Sequence, residues 1–206
     1  MLQKLLPLLD WIYKKKCYFC RKSDEAVKMC SKCYNEMDFL PVQINRIVEG
    51  KKVYCAGVYS KNLQKLIRGL KYHNQKDLAY YLAKFTDKTD FEIIPVPIFP
   101  KREKKRKYNH MNLVGEEFAR ITGNSINTTL IRRIKDTKPQ YKLKRNERLL
   151  NLYGAFKVNK ENFHGKTLLL IDDICTTGST FEEMIKEFTK NGITDIICFS
   201  ATTPFE

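Results

Sequence analysis

The amino-acid sequence predicts an α/β protein with a mostly parallel sheet and helices on both faces, preceded by a small cysteine-rich module. Three observations predict it. From Val53 onward, short apolar runs alternate with segments of helical spacing, the pattern of parallel strands joined by crossover helices. The run Leu168-Leu169-Leu170-Ile171 is apolar at every position, as in a strand covered on both faces. Four of the seven cysteines stand as two close pairs in the first 33 residues, a distribution that suits metal and a reducing compartment better than disulfides.

The elements follow in order. Residues 1–45 hold the cysteine pairs and form the expected zinc-finger-like module, led by an apolar segment (Leu5, Leu6, Leu8, Leu9, Trp11, Ile12) that reads as an amphipathic helix packed on its own protein. The larger domain is expected over 46–206. Residues 53–59 read as a strand, and Leu63, Leu66, Ile67 and Leu70 recur at helical spacing, leaving Lys71 and Tyr72 at the helix end or in a break. A further helix is expected over 76–84. Residues 91–96 form a strand stopped by Pro95, Pro97 and Pro100, followed by a basic run and a helix over 111–122. A short strand is expected over 126–131. Residues 133–152 are polar and without period, and at about twenty residues they read as a functional loop. Strand 168–171, helix 179–191 and strand 195–200 complete the domain.

Length and composition exclude some classes. A chain of 206 residues with 43% hydrophobic content fills one α/β core plus an appendage, which argues against disorder. No window approaches the roughly 18 apolar residues of a membrane span, and the leading apolar segment precedes its lysines, the reverse of a secretory signal. A cytoplasmic protein is expected, with a peripheral place at the inner face of the membrane left open. The net charge of +15 is unevenly distributed: residues 151–206 carry five Lys/Arg against eight Asp/Glu, while residues 101–148 carry fifteen against five. That basic stretch repels itself unless a polyanion relieves it. Lys101, Arg102, Lys104, Lys105, Arg106, Lys107, Arg132 and Arg133 are the nucleic-acid-binding candidates, with Tyr108 and Tyr141 placed to stack bases of a single strand.

Cys17-x2-Cys20 and Cys30-x2-Cys33 form two knuckles separated by nine residues, a spacing that lets four thiolates converge on one tetrahedral ion. Zinc is the default occupant. Four thiolates fill the tetrahedron, so the ion is expected to be structural and to supply much of the module's folding free energy. Cys55, Cys175 and Cys198 lie in or beside apolar runs and read as small core residues.

After strand 168–171 come Asp172-Asp173-Ile174-Cys175-Thr176-Thr177-Gly178-Ser179-Thr180. Two carboxylates ending a buried strand suit a diol that donates to both, and hydroxyls, a glycine and helix-start amides make a phosphate cradle. Ser179-x-x-Glu182 and Thr180-x-x-Glu183 also match a capping box, the purely structural alternative. His73, His110 and His164 are available for acid/base roles.

That stretch resembles the phosphoribosyl pyrophosphate signature of type I phosphoribosyltransferases, and with the knuckles in front the chain resembles the ComF family of competence proteins. Further matches are Leu70-Lys71-Tyr72, Pro95-Val96-Pro97, Arg106-Lys107-Tyr108-Asn109-His110, Asp136-Thr137-Lys138-Pro139-Gln140, and Arg148-x-x-Asn151 ahead of Gly154-Ala155-Phe156. The resemblance implies a type I phosphoribosyltransferase-like domain over residues 46–206. It implies that Asp172 and Asp173 hold ribose hydroxyls and that Thr176, Thr177, Gly178, Ser179 and Thr180 hold the 5′-phosphate. Lys71 then lies by a pyrophosphate bridged by Mg2+. It further implies handling of single-stranded DNA during natural transformation, with competence-machinery proteins at the membrane as partners. A phosphoribosyltransferase with an unidentified acceptor is the alternative, although purine-salvage relatives carry an acidic residue where Thr176 stands. The family usually has glycine where Lys107 stands and glutamine where His110 stands. Arg132, Arg133, Lys135 and Arg145 are the expected cations for the ligand's phosphates.

Overall fold

The computed structural model describes residues 16–22, 29–37, 39–73, 90–137 and 145–204. The expected helix over 76–84, the leading segment 1–12, Tyr141 and residues 138–144 of the expected loop lie outside these. The chain divides into two compact units, Met1–Asp38 and Phe39–Glu206.

The first unit contributes helix α1 (Ser31–Asn35), which starts at the second cysteine knuckle. The second unit contains β1 (Phe39–Val48), β2 (Lys51–Gly57), α2 (Lys61–Tyr72), β3 (Phe91–Pro95), α3 (Pro100–Arg106) and α4 (His110–Thr122). It continues with β4 (Ser125–Ile126), β5 (Ile131–Arg133), α5 (Arg145–Leu152), β6 (Phe156–Val158), β7 (Thr167–Ile174), α6 (Ser179–Lys190) and β8 (Ile196–Thr202). Six strands form one sheet in the order β1-β2-β8-β7-β3-β4; β5 and β6 form a separate antiparallel pair. Every neighbouring pair in the large sheet is parallel except β1–β2.

The sheet matches the expected architecture for a simple energetic reason. Leu168, Leu170 and Ile171 are fully buried in β7, and Ile93 and Ile94 in β3, so the central strands are closed to water on both faces. Each such side chain contributes about 1.5–3 kcal/mol of apolar burial. Helix α2 buries Leu63, Leu66, Ile67 and Leu70 and is capped by Ser60, whose side chain accepts from the Leu63 amide. Helix α4 is capped by Asn109, which accepts from the Met111 amide and donates to the carbonyl of Val96 at 3.0 Å. That second bond ties the start of α4 to the end of β3.

Several elements differ from expectation, each for a physical reason. β1 occupies residues reaching back to Phe39, so residues expected in the cysteine module pair antiparallel with β2 instead. Pro41 does not stop this strand because β1 is the sheet's edge, where a missing N–H removes no ladder bond on the outer side. The single strand expected over 126–131 is split between β4 and β5. The basic run becomes α3, opened by Pro100 at its first position. Part of the expected long loop is helix α5.

Candidate functional site

The direction of the connections reverses between β3 and β7, which lie side by side in the sheet. From β7 the chain passes through α6 to β8 on one side, whereas from β3 it passes through α4 to β4 on the other. Such switch points, at the carboxyl ends of parallel strands, are where α/β sheets bind ligands. Asp172 and Asp173 sit there, within the last residues of β7.

Asp173 is buried and its Oδ2 is held by two side chains: Lys71 from the last turn of α2 pairs with it, and Nε2 of His110, the first residue of α4, lies 2.9 Å away. An ionised carboxylate accepts only, so Nε2 is the protonated ring nitrogen. Burial raises the Asp173 carboxyl, but Lys71 and His110 together outweigh it and hold the group well below the ordinary range. The adjacent Asp172 goes the other way: burial and the Asp173 charge push it up, although its Oδ1 accepts from the Asp173 amide at 2.8 Å. Burial lowers His110 and, with smaller help from Lys71 and Arg106, outweighs the Asp173 carboxylate, which raises it. His110 Nδ1 is buried without a partner.

After β7 the chain turns through residues 175–178 into α6. Gly178 is the N-cap at φ +81°, and a Cβ there would stand 2.7 Å from Cγ2 of Val48. Only glycine fits this combination of backbone and space. Because the cap is glycine and Ser179 is already helical, neither capping-box pattern closes the helix; Thr177 Oγ1 accepts from the Ser179 amide and donates to Ser179 Oγ instead. First-turn amides have no carbonyl four residues back within the helix, so this end presents N–H groups and a positive dipole end. Asp172, Thr176, Gly178, Ser179 and Thr180 line a pocket there. Arg46 of β1 donates to the Thr176 carbonyl and to Thr203 Oγ1, and Val48 packs on Gly178, so the edge strand braces the loop. Sequence reasoning missed Arg46. Its only signal is the alternation Val42, Ile44, Arg46, Val48, which a bulge between Ile44 and Arg46 interrupts.

The structure thus brings together Lys71, Asp172, Asp173, Thr176, Thr177, Gly178, Ser179 and Thr180 at one sheet end. The basic candidates fall into two groups. Arg133 is buried, donates to Thr137 Oγ1 and stacks on Phe156 at 5.4 Å; Arg102 donates to the Thr137 carbonyl and lies 3.6 Å from Asp136. Lys101, Lys104, Lys105, Lys107 and Arg132 are exposed, and Arg106 lies 5.2 Å over the ring of Tyr72. Lys135 donates to the Tyr153 carbonyl. His164 bonds Glu92 at 2.6 Å, His73 is the C-cap of α2, and His110 contacts Asp173.

In the first unit, the Sγ atoms of Cys17, Cys20, Cys30 and Cys33 all lie within 4.8 Å of one another, and Cys20 and Cys30 are 3.8 Å apart. Ligands about 2.3 Å from a tetrahedral centre stand close to that separation, so the donor set fits a metal ion. Burial raises the Cys17 thiol, but the amides of Cys30, Cys20 and Phe19 outweigh it and bring it down to about 6. Cys55, Cys175 and Cys198 are buried, and burial pushes Cys55 up to about 11.

No protein-family profile matches the chain. Individual proteins do. It is 29% identical to Competence protein F of Haemophilus influenzae over 87% of this chain and 86% of that one. This chain is a homologue of Competence protein F. DNA utilization protein YhgH of Salmonella typhi is 23% identical over 85% of each chain, and Competence protein ComFC of Bacillus subtilis is 30% identical over 52% of this chain and 41% of that one. The two departures from the ComF pattern now have structural settings. Lys107 ends α3 at φ 70°, the left-handed region glycine adopts without strain. His110 replaces one hydrogen-bond donor with another beside Asp173.

Proposed function

We propose that this ComF homologue binds a phosphorylated ribose, phosphoribosyl pyrophosphate, at residues 172–180 and handles single-stranded DNA during DNA uptake in the cytosol. One observation carries the first half: paired carboxylates end the central strand at the switch point and lead directly into a glycine-capped helix start. In this reading Asp172 and Asp173 accept from the ribose hydroxyls, and the amides and hydroxyls of residues 176–180 hold the 5′-phosphate. Lys71, paired with Asp173 before the ligand arrives, is the cation nearest to a pyrophosphate on the sugar. Mg2+ adds the remaining positive charge such a ligand needs beside two carboxylates.

Two observations support the second half. The relatives are competence and DNA utilization proteins, and the net charge is +15. Among the described residues no helix is long and apolar enough to cross a membrane. We assign zinc to the four-thiol cluster, where it supplies structure. Other competence proteins at the membrane's inner face are the partners this role requires.

Calorimetry with phosphoribosyl pyrophosphate and Mg2+, followed by an assay for released pyrophosphate with and without a single-stranded oligonucleotide, tests the reading. Binding without release is expected. Pyrophosphate release would favour a phosphoribosyltransferase, and absence of binding would remove the sugar-phosphate half.

A further inference from the structure

The basic surface extends beyond the run at residues 101–107. Helix α2 reads Lys61-Asn62-Leu63-Gln64-Lys65-Leu66-Ile67-Arg68-Gly69-Leu70-Lys71-Tyr72 and contains no acidic residue. Its leucines and isoleucine take the buried face. At 100° per residue, Lys61, Lys65, Arg68 and Tyr72 fall within about 60° of one another on the opposite face. Lys61 and Arg68 are exposed, and so is Tyr72, at 59%, unusual for a large ring on a helix whose other apolar side chains are buried.

Tyr72 is also where α2 meets α3. The Arg106 guanidinium covers one side of its ring at 5.2 Å and donates to its hydroxyl at 3.4 Å. Tyr108 donates to the Leu70 carbonyl at 2.5 Å, fixing the two helix ends together. Lys104, Lys105 and Lys107 of the same junction are exposed and have no carboxylate partner among the described residues. The result is a stripe about 18 Å long on α2, by helical rise, continued by the cations of α3, with one exposed aromatic ring at the junction.

We propose that this stripe is the seat of single-stranded DNA: Lys61, Lys65 and Arg68 follow the phosphates, and a base stacks on the ring of Tyr72 beside Arg106. The chemistry matches the occupant. Positive charge in a row with no interspersed carboxylate on the helix follows a polyanion, and an exposed ring with a guanidinium over one face offers its other face to the sequence-tolerant stacking that single strands allow and duplexes do not. The inference rests on the DNA half of the proposed function and locates it on residues that the basic run alone would not have indicated. It also places the strand next to the sugar-phosphate site, because Lys71 separates the two.

The test is fluorescence anisotropy of a labelled oligothymidylate with the full chain. Tyr72→Ala is expected to weaken binding by about 5- to 150-fold, the range for loss of one stacked base. Arg68→Glu is expected to weaken it and to reduce the logarithmic salt slope by about 0.7 for each phosphate no longer neutralised. The control is Lys160→Glu, an exposed cation beside Gly192 at the other end of the sheet, expected to change little. Unchanged calorimetry with phosphoribosyl pyrophosphate shows that both variants remain folded. If the wild type binds and the α2 variants lose no more affinity than the control, the stripe is not the seat and the inference alone fails. If the wild type binds no oligonucleotide, the DNA half of the proposed function fails with it. Binding to anionic lipid vesicles that the oligonucleotide does not displace would assign the stripe to a membrane surface and overturn the inference.

Discussion

At the C-terminal end of β7 the charged side chains have named partners: Asp173 is held by Lys71 and His110, and Asp172 by the backbone of its neighbour. On the outer faces of α2 and α3, Lys104, Lys105 and Lys107 have none among the described residues. The two regions therefore respond differently to change. Removing one member of a buried, hydrogen-bonded ion pair costs about 3–5 kcal/mol, because the remaining charge stays out of water. An exposed cation contributes about 0–1 kcal/mol, and salt screens it. Sugar-phosphate recognition should be all-or-none and rigid, and recognition by the basic surface graded, redundant and salt-dependent.

The comparison breaks most visibly with Asp173→Asn, which leaves Lys71 and His110 facing a neutral amide. A loss of about 3–5 kcal/mol in urea unfolding is expected, against less than about 0.5 kcal/mol for Lys104→Glu. Similar losses from the two would erase the distinction. Next in size, Gly178→Ala forces a Cβ against Val48 at a left-handed position. It is expected to reduce phosphoribosyl pyrophosphate affinity by at least about tenfold while oligonucleotide affinity stays within about twofold, because Gly178 packs on Val48 and residues that share no partner change independently. Equal loss of both affinities would mean a shared site.

The carboxylates also have opposite pH signatures. Asp173 is held low, so its stabilisation is complete above the unfolded value near 4 and is lost as the pH falls through its lower native value. Asp172 is raised, so its ionised form costs stability that protonation returns; that cost grows as the pH rises from near 4 to about 8. Asp172→Asn should therefore raise Tm at pH 7 by a few degrees and flatten the decline between those limits, as thermal melts across pH will show. The smallest effect is expected at Lys107→Gly. It relieves about 1–2 kcal/mol of left-handed strain but frees the unfolded chain, so the net change in urea unfolding should stay within about 1 kcal/mol.

How much of this was legible in the sequence depended on whether the signal was local. β7, its two carboxylates and the loop into α6 were legible because apolar continuity, adjacent acids and a glycine at a helix start are all local features. The knuckle spacing was legible for the same reason, and the four thiols converge. β1 was not, because Pro41 and the polar residues between Val42 and Val48 resemble a linker unless the partner strand is known. α3 buries no residue, so it has no apolar period to read, and Pro100 was its only marker. The inward turn of Arg102 and Arg133 was invisible for a different reason: composition counts charges but does not give their direction. Lys71 was expected beside the ligand's phosphates, yet its pairing with Asp173, and the third member His110, exist only once β3 and β7 lie side by side.

The central claim is that the carboxylates at the end of β7 serve a ligand rather than the fold, and Asp172→Asn tests it most directly. Calorimetry of this variant with phosphoribosyl pyrophosphate and Mg2+, beside its melting curve, is predicted to show a protein at least as stable as the wild type with little or no heat of binding. Wild-type binding in a more stable variant would contradict the account, because the acid would then serve neither the sheet nor the sugar.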